Sequence, residues 1–205
     1  MPFDRTITVA LTGASGMPYA LRLIECLLAA RCRVYVLTTQ VAAIVAKQEM
    51  DFTLPARAQE LQAFLTQRFQ VDAEQLQVFG REEWFAPIAS GSNPHDAMVV
   101  CPCTMGTLAA IATGLADNLL ERAADVVIKE GRRLILVPRE TPFSAIHLEN
   151  MLKLARLGVV ILPANPGFYH HPQTVQDLVD FVVARVLDQL MVPHQLLQRW
   201  GETER

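Results

Sequence analysis

The stretch VALTGASGMPYALRL, residues 9–23, decides the fold of this chain. A run of residues typical of a β-strand ends at the turn Gly13–Gly16, and the apolar pattern of a helix follows at once. The first N–H groups of such a helix can hold a phosphate, although an ordinary strand–helix turn with a serine cap has the same sequence. The glycines lack the G-x-G-x-x-G spacing of dinucleotide-binding proteins, so the turn alone leaves the kind of phosphate open.

Four further apolar runs follow the first, and helical patterns lie between them. The runs are nearly unbroken in Val, Ile and Leu, as expected for strands buried on both faces. The alternation predicts an α/β fold: a single-domain, Rossmann-like or flavodoxin-like three-layer sandwich with a mostly parallel sheet. The predicted strands are 6–13, 33–39, 96–102, 132–138 and 157–163, and the predicted helices are 17–30, 40–49, 105–112, 117–130, 143–156 and 173–190.

The composition limits the class of protein. A length of 205 residues suits one domain, 1–205, with a C-terminal tail at 191–205. The net charge of −3 argues against a protein that binds nucleic acid by bulk electrostatics. No run approaches the ~20 apolar residues of a membrane span, so we expect a soluble protein. The four cysteines lack the spacing of a zinc site and are predicted to be reduced thiols of a cytoplasmic protein.

The segment at about 50–95 interrupts the alternation. It contains an amphipathic helical pattern at 54–69, a short strand at 76–80 and a loop with aromatic residues and a Ser-Gly-Ser turn at 82–96. We interpret this segment as an insertion that covers or flanks the ligand site.

Polar or ionic segments follow the predicted strands. Because parallel strands end along one edge of the sheet, we expect these segments to share a site. Thr104–Thr107 begins a second helix there and offers two hydroxyl groups, although capping alone would also explain it. Arg139 and Glu140 come directly after an apolar strand, where a charged pair favours a functional role. Tyr169 could stack on a ligand or donate to a phosphate, whereas His170–His171 is interpreted as a surface loop without a metal.

With these features in place, the chain resembles the flavin prenyltransferases, the UbiX-like partners of UbiD-type aromatic and polyprenyl-benzoate decarboxylases. The resemblance runs through almost the whole sequence. Its most specific stretches are LVPRETPFSAIHLENMLKL (136–154) and ILPANPGFYHHPQTVQDLVDFVVARVLD (161–188), and shorter ones are TGASG, ASGS and ERAADV.

The resemblance implies a reaction and an assembly. The first turn would bind FMN, and the protein would join a dimethylallyl group from dimethylallyl monophosphate to N5 and C6 of reduced FMN without a metal. The product, prenylated FMN, would serve the partner decarboxylase, with ubiquinone biosynthesis as the natural pathway. The family also implies a homo-oligomer, commonly a dodecamer, with sites at subunit contacts.

The resemblance further implies roles for individual residues. The implied FMN contacts are Gly13, Ala14, Ser15, Thr39, Thr104, Met105, Gly106, Thr107 and Arg139. The implied contacts of dimethylallyl phosphate are Ser90, Gly91, Arg122, Lys129, Arg139, Tyr169 and Arg185, with Arg122 and Arg185 crossing between subunits and Trp84 and Trp200 as pocket walls. The implied catalytic residues are Glu49, Lys129, Glu140, Ser15 and Tyr169.

Three positions depart from the family pattern. Thr39 and Thr104 stand where serine is common and keep the hydroxyl group, whereas Gly106 stands where lysine is frequent. These three differences would affect individual contacts between the protein and the flavin. A contact between Lys129 and Glu49 would keep both side chains ionised.

Three other classes of protein share part of this pattern. A cysteine-type flavoprotein decarboxylase would carry a PxMNxxMW signature, and the corresponding segment here reads PRETPFSAIH. A short-chain NAD(P) reductase would need a further glycine in the first turn and a Y-x-x-x-K pair, which the chain lacks. An FMN carrier would bind the flavin but would need none of Glu49, Lys129, Glu140 and Tyr169.

Overall fold

The computed structural model describes residues 3–93 and 95–197. Within these residues, six parallel strands form one sheet and seven α-helices pack against it. The strands are β1 (Thr6–Leu11), β2 (Arg33–Thr38), β3 (Leu76–Val78), β4 (Ala97–Cys103), β5 (Arg133–Pro138) and β6 (Val160–Ile161). The helices are α1 (Met17–Ala29), α2 (Gln40–Glu49), α3 (Ala58–Phe69), α4 (Met105–Thr113), α5 (Leu119–Lys129), α6 (Ala145–Arg156) and α7 (Val175–Leu190).

The strand order is β3-β2-β1-β4-β5-β6. The first half of the chain winds outward from β1 to β3, and the second half starts again at β4. β1 and β4 are therefore neighbours, and the winding reverses between them. In open α/β sheets, ligands bind outside the carboxyl ends of the strands at this switch point. The order confirms the predicted Rossmann-like parallel sheet and puts the turns after β1 and β4 side by side.

The two outer strands differ most from the sequence prediction. The predicted strand 157–163 is reduced to Val160–Ile161, because the chain is still leaving α6 at Gly158 and because Pro138 of β5 has no N–H to donate to the continuing chain. The Leu162 and Ala164 N–H groups still donate to the Leu136 and Pro138 carbonyls. At the other edge, β3 pairs with β2. It follows α3 in the segment 50–95, so this part of the segment continues the alternation of helix and parallel strand.

Alternate strand residues face two separate apolar layers. Ile7, Val9 and Leu11 of β1 pack with α1, α2, α3 and α7, whereas Ala10 packs with α4, α5 and α6. The sheet is thus covered on both faces, which confirms the predicted three-layer sandwich. Each buried Leu, Ile or Val contributes about 1.5–3 kcal/mol, so these two layers supply most of the driving force for folding.

The cysteines are free thiols at or near this core. Cys32, Cys101 and Cys103 are buried, and Cys26 is partly buried, which agrees with the prediction from their spacing. Separately, none of the helices in the described ranges is long and apolar enough to cross a membrane.

His95 is a buried titratable group whose protonation is coupled to folding. Its side chain lies just before β4 and is 2% exposed. Neither ring nitrogen has a hydrogen-bond partner among the described residues. Burial lowers the pKa of His95 from 6.5 to about 4, against the opposing influence of Asp96. The folded protein therefore holds the neutral ring, while the unfolded chain takes up a proton below pH 6.5.

We expect His95 to lower the free energy of unfolding by about 2 kcal/mol between pH 7 and pH 5. Its contribution is complete above pH 6.5 and is lost as the pH falls toward 4, because only the unfolded state gains a proton in that window. Urea unfolding at both pH values measures the effect. His95→Phe keeps a ring that does not titrate and should show a smaller fall. Equal falls in the two proteins would assign the pH dependence to other groups.

Candidate active site

The polar turns that follow β1 and β4 lie side by side at the switch point. Gly13–Gly16 joins β1 to α1, and Thr104 begins α4 directly after β4. The Thr12 hydroxyl links the two turns: it donates to the Pro102 carbonyl over 2.7 Å and accepts from the Thr104 N–H over 2.9 Å. The structure thus brings together the two turns in which most FMN contacts were predicted.

The carboxylate of Glu49 occupies the N-terminus of α1. Its Oε2 accepts from the N–H groups of Gly16 at 2.9 Å and Met17 at 2.8 Å. Gly16 has a φ of 125°, which a glycine adopts readily. Negative charge is stabilised at a helix N-terminus, so Glu49 takes the place that a phosphate would otherwise fill. A ligand at this turn would instead meet Gly13–Ser15, where the Ser15 side chain is exposed.

Thr39 and Thr104 cap helices with their hydroxyl groups. Thr39 accepts from the Ala42 N–H over 3.3 Å at the start of α2, and Thr104 accepts from the Thr107 N–H over 3.1 Å at the start of α4. The Thr104 hydroxyl also donates to the Thr107 hydroxyl over 2.9 Å. Capping therefore explains the orientation of these groups within one chain. A hydroxyl oxygen has two lone pairs, so capping still leaves capacity for a ligand.

Gly106 lies in the first turn of α4, next to open space. A Cβ built at this position meets no atom within 4 Å among the described residues. The φ of Gly106 is also not in the positive range that favours glycine. The chain itself therefore gives no packing reason for glycine at this position.

Gly106→Ala should raise the free energy of unfolding by about 0.5–1 kcal/mol, because alanine loses less backbone entropy in a helix. If FMN lies against this turn, the added methyl group should also raise the Kd for FMN. Urea unfolding without flavin and fluorescence titration with FMN measure the two effects. Gly114→Ala is the matched control, since Gly114 has similar open space but a φ of 74°, and it should destabilise the fold. Unchanged FMN affinity in Gly106→Ala would place the ligand away from this turn.

Arg139 and Glu140 leave β5 at the same edge of the sheet. The Arg139 N–H donates to the Cys103 carbonyl over 3.4 Å, which ties the end of β5 to the end of β4. The Arg139 guanidinium is exposed, and no other described residue pairs with it. Glu140 is partly buried, and its carboxylate accepts from the Thr141 N–H over 3.1 Å. An unpaired guanidinium beside the two turns is suited to binding phosphate.

Tyr169 lies between β6 and α7 in an aromatic cluster. Its ring centroid is 5.7 Å from Phe181 and 5.8 Å from His170, both edge-on, and His170 stacks on Phe181. A Cβ added at Gly167 would come within 2.9 Å of the Tyr169 ring. Tyr169 is still 60% exposed, so packing orients a side chain that lies partly at the surface. The predicted surface loop is correct for His171 but wrong for His170, whose ring nitrogens are buried.

The predicted prenyl phosphate contacts of Ser90–Gly91 and α5 form a second group. The Arg122 Nε–H donates to the Ala89 carbonyl over 3.0 Å, which holds this loop on α5. The Lys129 Nζ lies 2.5 Å from the Glu130 carboxylate, whose pKa it lowers. A Cβ added at Gly91 in this loop would come within 2.8 Å of the Lys129 Nζ. These residues therefore lie together, and we call them the α5 group.

The expected contact between Lys129 and Glu49 is wrong within one chain. Lys129 pairs with Glu130, and Glu49 binds the start of α1. α5 begins after Asn118 at the carboxyl edge of the sheet and ends shortly before β5 begins at Arg133. Lys129 therefore lies toward the amino edge, opposite the two turns.

Arg185 occupies a third place. It lies on α7, which packs on the face of the sheet opposite to α5, and its guanidinium pairs with Asp188 over 2.7 Å. The end of α7 reaches the amino edge, where the Leu190 carbonyl accepts from the Arg5 guanidinium. Apart from the two tryptophans, the remaining predicted residues form what we call the carboxyl-edge group: Gly13, Ala14, Ser15, Thr39, Glu49, Thr104, Met105, Gly106, Thr107, Arg139, Glu140 and Tyr169.

A cavity of about 160 Å³ next to Thr39 includes two polar residues that sequence reasoning missed. Arg81 and Asn118 line it together with Thr39 and Phe79. Arg81 lies in the loop after β3, and Asn118 caps α5 by accepting from the Glu121 N–H over 3.0 Å. Only the tertiary fold places the two side chains beside Thr39.

The two predicted pocket walls are the tryptophans. Trp84 follows β3 and is 45% exposed beside Phe85, whose side chain is fully exposed. Trp200 lies outside the described residues.

Known proteins resemble this chain along nearly its whole length. The family model described as Flavoprotein matches residues 3–187. A flavin prenyltransferase UbiX of Pseudomonas aeruginosa is 59% identical over 96% of this chain and 94% of that protein. A dodecameric FMN-dependent UbiX-like decarboxylase from Escherichia coli O157:H7 has a TM-score of 0.84 and 42% identity, covering 96% of this chain and 100% of that one. AnUbiX (PadA1), solved with FMN and dimethylallyl pyrophosphate, has a TM-score of 0.86 and 38% identity, covering 98% and 99%.

The match over 3–187 defines the class, and the chain belongs to the flavoprotein family. Within that family it groups with the UbiX-like flavin prenyltransferases, as 59% identity over nearly the full length shows. The resemblance inferred from the sequence is thereby confirmed. Within 3–93 and 95–197, no cluster of three or more His, Cys, Asp or Glu side chains is placed to hold a metal ion.

Proposed function

We propose that this protein joins a dimethylallyl group from dimethylallyl monophosphate to N5 and C6 of reduced FMN. The product, prenylated FMN, would serve a UbiD-type decarboxylase of ubiquinone biosynthesis in the cytoplasm. One observation carries the proposal: two polar turns meet at the switch point of a chain that is 59% identical to a flavin prenyltransferase. The AnUbiX complex contains dimethylallyl pyrophosphate, so the donor must be tested in both forms.

The carboxyl-edge group fits FMN. The hydroxyl groups of Ser15, Thr39 and Thr104 suit a phosphate and a polyol chain, and the Arg139 guanidinium supplies positive charge. Open space beside Gly106 leaves room against the start of α4. Reduced FMN, when bound, supplies the electron-rich ring that accepts the prenyl group.

Cleavage of the allylic C–O bond requires groups that hold the departing phosphate and exclude water. Lys129 and Arg185 would supply positive charge, and Tyr169 would donate a hydrogen bond from a phenol that is oriented on Phe181. An aromatic wall such as Trp84 would stabilise the dimethylallyl cation without offering a nucleophile.

Formation of the bond at C6 releases a proton, and a carboxylate is suited to accept it. Glu49 and Glu140 both belong to the carboxyl-edge group. Glu49 is fixed by the N–H groups of Gly16 and Met17, directly after Ser15. The start of α1 would thereby set the distance between this carboxylate and the flavin.

The proposed contacts of one prenyl phosphate are spread over three places in one chain. Lys129 lies with α5 on one face of the sheet, Arg185 lies with α7 on the other, and Tyr169 lies at the carboxyl edge. Hydrogen bonds to one phosphate need partners within about 3 Å, so neighbouring subunits would complete the site. We propose a homo-oligomer, dodecameric like the relative from E. coli O157:H7. Exposed apolar side chains available for such contacts are Phe85, Ile146, Leu148, Leu152, Leu157 and Phe168.

The mass of the released flavin after anaerobic incubation with reduced FMN and dimethylallyl monophosphate tests the proposal. A gain of one isoprene unit would support it, and the same gain only with the diphosphate would correct the donor. Unchanged FMN with both donors, from a protein that binds FMN tightly, would overturn the transferase and favour an FMN carrier. A protein that binds no FMN would overturn the flavin site itself.

A further inference from the structure

We infer that Thr12 is a positioning residue for the flavin site: its hydroxyl group holds the turn after β1 against the start of α4 and thereby sets the affinity for FMN. The inference rests on the FMN site proposed above. Thr12 is fully buried. Its hydroxyl donates to the Pro102 carbonyl over 2.7 Å and accepts from the Thr104 N–H over 2.9 Å, so both of its bonds join β1 to the β4 end.

These bonds lie where the sheet no longer holds the two strands together. The regular pairing of β1 with β4 ends at Ala10 and Val100. Beyond that point the register of β4 against β5 also shifts, between Val100 and Cys103. The Thr12 N–H still reaches the Pro102 carbonyl, but over a longer 3.3 Å. The Thr12 side chain thus supplies hydrogen bonds between the two chain segments where the backbone bonds between β1 and β4 have ended, directly before both ligand turns.

The Thr104 N–H is the point at which this support reaches the site. Thr104 is the N-cap of α4, and its own hydroxyl is engaged with Thr107. Without the Thr12 hydroxyl, the partly buried Thr104 N–H at the start of α4 has no hydrogen-bond partner. Leaving this N–H unpaired costs free energy, which favours a shift of the turn before α4. The affinity for FMN depends on how closely the binding site of the free protein already matches its geometry in the complex.

Thr8 provides a matched control in β1, four residues before Thr12. Like Thr12, it is fully buried. Its hydroxyl, however, has no hydrogen-bond partner among the described residues. Thr8→Val therefore removes a buried hydroxyl without breaking a bond, whereas Thr12→Val breaks two.

FMN fluorescence titration of the full chain, together with hydrogen exchange at the Thr104 amide, tests the inference. We expect Thr12→Val to raise the Kd for FMN about tenfold and to speed this exchange, while Thr8→Val and Thr12→Ser stay within about twofold of wild type. Thr12→Cys, which keeps the size but weakens both bonds, should fall between and serves if Thr12→Val does not fold.

Two results would overturn the inference. One is an unchanged Kd for FMN in Thr12→Val, although the Thr104 amide exchanges faster in this variant. The other is an equal loss of affinity in Thr8→Val, which would point to general destabilisation. Because the readout is FMN affinity, a wild-type protein that binds FMN but transfers no prenyl group would refute the proposed function and leave this comparison valid.

Discussion

Replacing Glu49 with glutamine should leave FMN bound and slow prenyl transfer about a hundredfold or more, the usual contribution of a positioned acid–base group. Glutamine keeps an amide oxygen that can accept from Gly16 or Met17. It loses the negative charge at the start of α1 and the ability to accept a proton. The loss of that charge at the helix N-terminus should lower the free energy of unfolding by only about 0.3–1 kcal/mol.

Single-turnover rates, FMN titration and urea unfolding separate the two roles of Glu49. Glu25→Gln is the control, because Glu25 is an exposed acid on α1 itself that forms a surface pair with Arg22. It should change neither rate nor affinity. If Glu49→Gln lowers stability but keeps the wild-type rate, Glu49 is a helix cap and not a catalytic residue.

Two inactive variants should restore activity when their subunits assemble together. Glu49→Gln damages the carboxyl-edge group, and Lys129→Met damages the α5 group. Because these groups are far apart in one chain, each site would combine them from different subunits. Random mixing then leaves about a quarter of the sites with both residues intact. Co-expression with two affinity tags, followed by tandem purification and activity measurement, checks this.

The matched control pairs two variants within one group. Glu49→Gln and Arg139→Met both alter the carboxyl edge, so every mixed site carries one defect and activity should stay low. Equal recovery in both mixtures would show that the grouping is wrong. No recovery in either, with mixed oligomers isolated, would place Lys129 and Glu49 in a site made by one chain.

Sequence reasoning succeeded where structure is determined by neighbours along the chain. The starts of α1 and α4 follow from an apolar run, a polar turn and an amphipathic pattern, and both helices begin at the predicted residue. The length of β6 was overestimated, because the regular ladder needs an N–H from both strands and Pro138 of β5 has none to donate, although Leu162 and Ala164 still donate to β5. The pattern of apolar residues in the sequence indicates which residues are buried, but it does not indicate which of them pair with a neighbouring strand.

Contacts between distant segments were beyond such reasoning. The bond between Glu49 and Gly16 spans 33 residues, and no local pattern distinguishes Glu49 from an exposed acid. Only the family resemblance indicated its importance. Lys129 shows the opposite error: an expected long-range pair is replaced by the adjacent Glu130.

The central place of β1 has a consequence for synthesis on the ribosome. The partners of the Thr12–Pro102 bond are 90 residues apart. If β3, β2 and β1 pair before β4 has been synthesised, β1 is the open edge of a three-stranded partial sheet, apolar on both faces and able to pair with another nascent chain. A slow delivery of residues 97–103 would prolong that exposure, so translation speed ahead of β4 should govern how much of the protein aggregates before it can receive a flavin.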